Sequence, residues 1–124
     1  MVKSLGVDIT EISRIKTDVQ RFGERFINRI LGPDEKKIFE NRRDKFGFLA
    51  GRFAAKEACI KALGEYIDER PPFKEIQIIN DPDGKPCLKF NDDISVRLQG
   101  VRYMVSISHS RNNAVAVVIF EEDK

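Results

Sequence analysis

The segment of residues 51–64, GRFAAKEACIKALG, constrains the fold more than any other part of the chain, because a helix of this sequence would be covered on nearly all sides. At about 100° per residue, its apolar residues form one broad arc and its small residues line the opposite side. Glu57 projects from the middle of the apolar arc, which Lys56 and Lys61 flank. An unpaired buried carboxylate costs on the order of several kcal/mol, so Glu57 must be paired, protonated or bound to a metal. The same helical spacing continues before residue 51, so the arc consists of Phe46, Leu49, Ala50, Phe53, Ile60 and Leu63. The small residues on the opposite side are Gly51, Ala55, Ala58 and Ala62.

A simple structural explanation of Glu57 is an i,i+4 salt bridge to Lys61, which would contribute about 0.2–0.5 kcal/mol in an isolated helix. Two other segments indicate a site instead. In LGVDIT, Asp8 lies within a strand-like alternation of apolar residues, and Gly6 allows close approach to the backbone. In VSISHS, three serines surround His109, the only histidine of the chain. An aspartate and a glutamate far apart in sequence can meet to form a hard-cation site of the kind that Mg²⁺ prefers.

Four segments carry a resemblance to a known family. GVDITEISRI, FLAGRFAAKEACIKALG, DGKP and SISHS, in this order, resemble holo-acyl-carrier-protein synthase, the small bacterial type of 4′-phosphopantetheinyl transferase. The similarity extends over residues 6–119, and its most specific part is the pair G-V-D-I and F-A-A-K-E-A, followed by Lys61 and Ala62. The resemblance implies transfer of the 4′-phosphopantetheine arm of coenzyme A to a serine of acyl carrier protein. It also implies release of adenosine 3′,5′-bisphosphate, with Mg²⁺ on the pyrophosphate.

The resemblance also implies roles for individual residues. Asp8 and Glu57 would ligate Mg²⁺, and Lys61 would contact the pyrophosphate and assist departure of the leaving group. For Asp8, the alternative is a strand-end residue satisfied by backbone donors. The general base stays open between Glu57, acting directly or through metal-bound water, and a Mg²⁺-bound hydroxide, with His109 a weaker candidate that is expected to contact phosphate. Coenzyme A contacts are expected from Arg52, Lys61, Gly64, Lys85, Pro86, His109 and Ser110.

Three arginines are candidates for docking the carrier protein, which is acidic in this family. The spacings of seven and four between Arg14, Arg21 and Arg25 place them on one side of a helix, provided that Gly23 does not interrupt it. A solvated polar face is the structural alternative. A nucleic-acid-binding module would use the same arginines for phosphates, with little need for Asp8 or Glu57. A noncatalytic carrier-binding scaffold would retain binding without transfer.

Composition limits the remaining possibilities. The 124 residues, 41% of them hydrophobic, suit a single domain spanning residues 1–124. The net charge of +2 argues against a strongly electrostatic nucleic-acid binder. No apolar run is long enough to cross a bilayer and the first residues lack the apolar core of a signal peptide, so a cytoplasmic protein is expected. Cys59 and Cys87 match no metal or disulfide pattern and are expected to be free thiols.

The pattern of elements predicts a small α+β domain with antiparallel strands and a long buried helix. The resemblance implies that the strands pack on this helix in the 4′-phosphopantetheinyl transferase fold. The first strand is predicted to reach Ile9, with Thr10 as cap of the helix that follows, and Gly23 is expected to bend or break that helix. Gly64 is predicted to end the long helix as a left-handed cap. A second helix is predicted from Pro33, a hairpin around residues 81–86, an ambiguous segment at residues 92–98, and an antiparallel pair formed by RYMVSISH and AVAVVIF.

Assembly is also implied by the resemblance, which predicts a homotrimer with each active site at the junction of two chains. The small-residue side of the long helix would permit close packing, and the apolar runs GVDI and AVAVVIF would supply subunit contacts. The alternative is that all these surfaces fold onto the core of the monomer, which a domain of this size can achieve.

Overall fold

The computed structural model describes residues 1–123, which form five strands, five α-helices and one short 3₁₀ helix. No helix among these residues is long and apolar enough to span a membrane. The predicted α+β class is confirmed. The elements are β1 Val2–Glu11, α1 Ile12–Phe22, α2 Glu24–Ile30, α3 Pro33–Glu40, α4 Lys45–Leu63, the 3₁₀ helix Phe73–Glu75, β2 Ile76–Asn80, β3 Pro86–Phe90, α5 Asp92–Arg97, β4 Val101–His109 and β5 Asn113–Glu122.

Helix α4 packs on a three-stranded antiparallel sheet with the order β1-β5-β4. The alternation of small and β-branched residues in β5 gives this sheet one buried face, which carries Ala114, Ala116, Val118 and Phe120. The register places Asp8 of β1 and Ile107 of β4 on either side of Ala116. Two hydrophobic clusters meet at α4, since Ala54, Ala55 and Ala58 belong to one and Leu49 and Ala50 to the other.

The strand β1 approaches α4 most closely at Gly6. A β-carbon built at this position would lie 1.9 Å from the Ala58 carbonyl oxygen and 3.1 Å from the Lys61 β-carbon. Only glycine allows this approach, because a backbone carbonyl in the middle of a packed helix has little freedom to move. The contact therefore sets how near the residues of β1 come to those of α4.

We expect Gly6→Ala to destabilise the protein by at least about 1–3 kcal/mol, the range for forcing extra atoms into a packed interior. Urea unfolding followed by circular dichroism measures the effect. Gly64→Ala is the matched control, because its β-carbon would come no closer than 3.4 Å to the Lys61 carbonyl oxygen. Equal stability of both variants would contradict the proposed close packing at Gly6.

The second sheet is the hairpin of β2 and β3, predicted around residues 81–86 and confirmed. Asp81 shapes its turn, because the Asp81 Oδ1 accepts hydrogen bonds from the backbone N–H groups of Asp83 and Lys85, both at 2.9 Å. The hairpin packs on β4 through an edge-to-face contact between Phe90 and Tyr103, whose ring centroids lie 5.0 Å apart.

Several boundary predictions are wrong in detail. Strand β1 continues two residues beyond Ile9, and Thr10 does not cap α1, since its hydroxyl donates to the Asp8 Oδ2 at 3.1 Å. Gly64 has φ −56° and ψ −22°, a right-handed conformation, so it is not a left-handed cap. The predicted break at Gly23 is confirmed, since this residue, with φ 58°, ends α1 and separates it from α2. The ambiguous segment is the helix α5, capped by the Asn91 side chain.

The predicted distribution of burial around α4 is also wrong at one point. Within the predicted arc, Leu49, Ala50 and Leu63 are buried, but Phe46, Phe53 and Glu57 are only half-buried. Lys56, in contrast, is completely buried, and its Nζ lies 2.5 Å from the Glu35 Oε1 of α3, so this fully buried charge of α4 is a paired lysine. Helical periodicity separates the faces of a helix, but it does not reveal which face a distant partner will cover.

Candidate active site

Asp8 lies on β1 beside the middle of α4, where the Gly6 contact brings the two elements together. Its side chain is 18% exposed. The Asp8 Oδ1 accepts a hydrogen bond from the Lys61 Nζ at 3.4 Å, and the Oδ2 accepts one from the Thr10 hydroxyl at 3.1 Å. Asp8 is therefore an accessible carboxylate, held by two side-chain donors at the edge of the sheet.

Glu57 lies on the neighbouring part of α4, one residue before the carbonyl that contacts Gly6. Its carboxylate accepts a hydrogen bond from the Arg70 Nη2 at 2.5 Å. The i,i+4 salt bridge to Lys61 is not what satisfies Glu57. The Lys61 Nζ instead donates to the Val7 carbonyl at 2.8 Å and to Asp8. Asp8 and Glu57 thus each pair with one cation, Asp8 with Lys61 and Glu57 with Arg70, on β1 and α4, two elements that pack together at Gly6.

The carboxylate oxygens of Asp8 and Glu57, the carboxylate pair, are ligands of the kind that a hard cation prefers. Within residues 1–123, no group of three or more histidine, cysteine, aspartate and glutamate side chains is placed to enclose a metal ion. Mg²⁺ does not require such a cage, because it is commonly bound by one or two carboxylates and completes its shell with water and substrate phosphates. Asp8 and Glu57 are of the residue types that would serve as two oxygen ligands of Mg²⁺.

A basic cavity of about 400 Å³ lies at the opposite edge of the three-stranded sheet, between the first half of α4, the hairpin turn and the end of β4. It contains three of the residues expected to contact coenzyme A, namely Arg52, Pro86 and His109. Arg42 and Arg43 add two further cations. The complete lining consists of Arg42, Arg43, Asp44, Gly47, Phe48, Gly51, Arg52, Asn80, Gly84, Pro86, Ile107 and His109.

The charge of the basic cavity favours an anionic ligand. Its acidic residue, Asp44, caps α4, and its Oδ1 accepts a hydrogen bond from the Gly47 N–H at 2.9 Å. The cavity thus combines three arginines with the positive end of a 19-residue helix, an arrangement that attracts phosphate. Arg42 and Arg43 were not among the residues singled out from the sequence, and the paired arginines immediately before a helix start are the signal that would have found them.

The other residues expected at the coenzyme lie outside this lining. Lys85 is exposed in the hairpin turn beside Pro86, and Ser110 follows His109 at the end of β4, where its N–H donates to the Asn113 carbonyl. Gly64 and Lys61 lie at the other end of α4. Proximity therefore links Lys85 and Ser110, but not Gly64, to the basic cavity.

The carboxylate pair lies by the second half of α4 and the basic cavity by its first half, at opposite edges of the three-stranded sheet. Asp8 belongs to one edge strand, β1, whereas Ile107 and His109 belong to the other, β4, with β5 between them. Helix α4 crosses the sheet between these edges, since Gly51 approaches Ile107 and Ala58 approaches Gly6. A single chain therefore does not direct its carboxylate pair and its basic cavity into one common cleft.

The three arginines proposed to dock the carrier protein do not lie on one continuous helix. Gly23 ends α1 at Phe22, so Arg14 and Arg21 lie on α1 and Arg25 lies on α2. The condition for a single helical face, an uninterrupted helix at Gly23, is therefore not met. The guanidinium of Arg14 stacks 5.3 Å from the Phe53 ring centroid, and that of Arg21 lies 5.6 Å from the Phe22 ring centroid. The two helices still present basic residues on the outer side of the chain, next to the α4 residue Phe53.

Comparison with known proteins identifies the family of the chain. Residues 4–118 match the family model of the 4′-phosphopantetheinyl transferase superfamily. The holo-acyl-carrier-protein synthase of Geobacillus sp. (strain WCH70) is 46% identical over 98% of this chain and 98% of its own length. The crystal structure of the synthase from Neisseria meningitidis superposes with a TM-score of 0.89 at 36% identity, covering 98% of this chain and 100% of that one.

A further solved structure holds a ligand. The holo-acyl-carrier-protein synthase from Bacillus anthracis, in complex with coenzyme A (3′,5′-ADP), superposes with a TM-score of 0.81 at 35% identity and covers 99% of both chains. Sequence and structure therefore agree over almost the whole length of the chain. This protein belongs to the 4′-phosphopantetheinyl transferase superfamily.

Proposed function

We propose that the protein transfers the 4′-phosphopantetheine group of coenzyme A to a serine of apo-acyl carrier protein, producing holo-acyl carrier protein and adenosine 3′,5′-bisphosphate. The combination of an accessible carboxylate pair and a separate arginine-rich cavity carries this proposal, because the reaction needs a metal and several cations around a polyanionic substrate. Relatives that are named holo-acyl-carrier-protein synthase support it.

The proposed chemistry is a phosphoryl transfer. The serine hydroxyl of the carrier forms a new bond to the β-phosphorus of coenzyme A, and the bond from that phosphorus to the bridging oxygen breaks. Adenosine 3′,5′-bisphosphate leaves with the bond electrons, and the serine proton passes to a base. Mg²⁺ held by Asp8 and Glu57 would neutralise part of the negative charge of the pyrophosphate.

Other residues of the chain are assigned to phosphate binding, to the leaving group and to the base. Lys61, whose Nζ already lies beside Asp8, contacts the pyrophosphate and stabilises the leaving oxygen. Arg52, His109 and the neighbouring arginines bind the nucleotide phosphates. Glu57, acting directly or through metal-bound water, is the preferred base candidate, and His109 is expected to contact phosphate. The Arg70 Nη2 donates to the Oε1 of Glu57 and would compete with a proton or a metal for that oxygen.

In a single chain the carboxylate pair and the basic cavity are separated, and this separation supports the proposed homotrimer with shared active sites. The outer face of the three-stranded sheet carries large apolar side chains that are 42% to 68% exposed in the single chain: Leu5, Val7, Ile9, Met104 and Val115. A contiguous apolar face of this kind is typical of a subunit interface. Packing between copies would cover it and would allow the basic cavity of one chain to face the carboxylate pair of another.

The proposed location is the cytoplasm, in agreement with two cysteines that form no disulfide, Cys59 and Cys87.

Transfer is tested directly by incubating the protein with an apo-acyl carrier protein, coenzyme A and Mg²⁺ and then measuring the intact mass of the carrier. We expect the carrier to gain one phosphopantetheine group, and omission of Mg²⁺ with added chelator should prevent the gain. An unmodified carrier, tested with several bacterial carriers, would contradict the proposed function.

The double variant Arg14→Glu with Arg21→Glu is expected to raise the KM for the carrier far more than the KM for coenzyme A. Exposed charges at the rim of an interface mainly steer and orient a charged partner, and the carrier is acidic. Steady-state kinetics with each substrate varied in turn measures the two constants. Lys37→Glu with Arg97→Glu, an equal charge change at exposed positions on α3 and α5, is the control. Equal effects on both substrates would exclude a carrier-docking face on α1.

A further inference from the structure

Three charged side chains are buried together between α3, α4 and the hairpin. Glu35 and Lys56 are completely buried, and Arg52 is 7% exposed. One carboxylate thus accompanies two cations, which leaves the cluster with one surplus positive charge. A buried charge without a counter-charge is strongly unfavourable in a folded protein, so this excess needs an explanation.

Glu35 and Lys56 satisfy each other and the surrounding backbone. Glu35 accepts hydrogen bonds from the Gly32 N–H and the Ile78 N–H, both at 3.0 Å, and from the Lys56 Nζ at 2.5 Å. The Lys56 Nζ also donates to the carbonyls of Ile30 and, at 3.0 Å, Phe73. All three donors of the ammonium group are therefore used. The ion pair ties the start of α3 and the strand β2 to α4.

Arg52 is the member of the cluster with unused bonding capacity. Its Nη2 donates to the Ile78 carbonyl at 3.1 Å, and its guanidinium stacks 4.3 Å from the Phe48 ring centroid. Its Nε lies 3.9 Å from the Glu35 Oε2, which is beyond hydrogen-bonding distance, and within residues 1–123 this buried atom has no hydrogen-bond partner. Burial lowers the pKa of Arg52 to about 10, so the group remains a cation at neutral pH. The same side chain lines the basic cavity.

We infer that Glu35 is a positioning residue: it holds the Arg52 guanidinium against the basic cavity, where a phosphate group of the nucleotide neutralises the surplus buried charge. The inference rests on the proposed function for the identity of the ligand. Three contacts fix the guanidinium: the Phe48 ring, the Ile78 carbonyl and the nearby Glu35 carboxylate. The Ile78 N–H is itself bound by Glu35, so Glu35 also sets the position of the carbonyl acceptor on β2.

A purely structural Glu35 would have a different signature. Replacing such a residue would lower the stability of the protein and would weaken ligand binding by the same factor whether Arg52 is present or not. A positioning Glu35 acts through Arg52, so the two residues must be energetically coupled in ligand binding. The measurement therefore has to be a double-mutant cycle on affinity, independent of carrier modification.

The test uses a charge-balanced variant, Glu35→Gln with Lys56→Met, which removes the ion pair but leaves the net charge of the cluster unchanged. We expect about tenfold weaker binding of adenosine 3′,5′-bisphosphate in calorimetry, within the range that coupled neighbours show, and less than about a twofold loss in an Arg52→Met background. The matched control background is Arg42→Met, a cavity arginine for which the full tenfold loss should remain. Unfolding midpoints establish that each protein is folded, and Glu35→Asp replaces the balanced variant in the cycle if that variant does not fold.

Arg52→Met alone gives a second, independent readout. It removes the surplus buried cation, so the ligand-free variant should unfold at the same or a higher temperature than wild type while its affinity for the bisphosphate falls about tenfold or more. A clear loss of stability would overturn the surplus-charge explanation. Equal losses in the wild-type and Arg52→Met backgrounds, or unchanged affinity in the balanced variant, would overturn the role of Glu35. A wild-type protein that binds the bisphosphate but does not modify the carrier would contradict the proposed function alone, whereas absence of bisphosphate binding would overturn both.

Discussion

Replacing Glu57 with glutamine is expected to lower the rate of phosphopantetheine transfer by at least about 100-fold while the protein stays folded. Glutamine preserves the length of the side chain, but it supplies no negative charge to a bound cation and cannot accept the serine proton. The structural loss is small, because the ion pair with Arg70 is open to solvent, with Arg70 59% and Glu57 23% exposed. Exposed pairs of this kind contribute about 0–1 kcal/mol.

Three measurements separate this loss of chemistry from a loss of structure. Turnover is measured by carrier mass, stability by thermal unfolding, and cation binding by calorimetry with Mg²⁺ in the presence of coenzyme A. Glu65→Gln is the control, because Glu65 is an exposed carboxylate just beyond the end of α4. Turnover near the wild-type rate in Glu57→Gln would refute the assignment of Glu57 as a ligand or base.

Mixing two inactive variants is expected to restore activity if the active site is shared between chains. Asp8→Ala removes a carboxylate at one edge of the sheet, and His109→Ala alters the basic cavity at the other. After dissociation and random reassembly at equal concentrations, about one quarter of the sites would combine an intact Asp8 from one chain with an intact His109 from its neighbour. Activity should therefore rise from near zero to about a quarter of the wild-type value.

The assembly state must be measured alongside activity. Analytical ultracentrifugation should find trimers for the wild type and for the mixture, and each variant treated alone in the same way is the control. A fully active monomer would exclude the proposed trimer. Trimers that remain inactive after mixing would instead place Asp8 and His109 of a working site in the same chain.

The local signals in the sequence predict the scaffold well because they depend on short-range physics. Alternating apolar residues identify the strands, and the Asp81 turn identifies the hairpin. The ends of elements are less predictable, since they depend on what else competes for the capping groups. Thr10 bonds to Asp8 rather than capping α1, and the chain after Gly64 continues to turn, with the N–H groups of Tyr66 and Ile67 donating to the Leu63 carbonyl.

The residues of the candidate site also differ in how well the sequence indicates them. Asp8 and Glu57 stand out because they interrupt regular apolar patterns, and His109 stands out as the only histidine, whereas Arg52 was expected from the resemblance. Lys56 and Glu35 do not stand out, since they lie 21 residues apart on different helices and become partners only when α3 packs on α4. Their burial is a tertiary property. Arg42 and Arg43 resemble a solvated charged segment and are indeed exposed, but the fold places them beside the hairpin turn as part of the basic cavity.

The apolar outer face of the three-stranded sheet also affects the chain before it meets other copies. Strand β1 is an edge of that sheet, and it carries Leu5, Val7 and Ile9 in an exposed row. An edge strand with exposed apolar side chains is a template for aggregation. A lone chain is therefore at risk of misassociation for as long as it remains unassembled. Lys3 and Glu11, charges at either end of the row, lie where gatekeeper residues oppose such pairing, so neutralising them should reduce soluble yield before it affects catalysis.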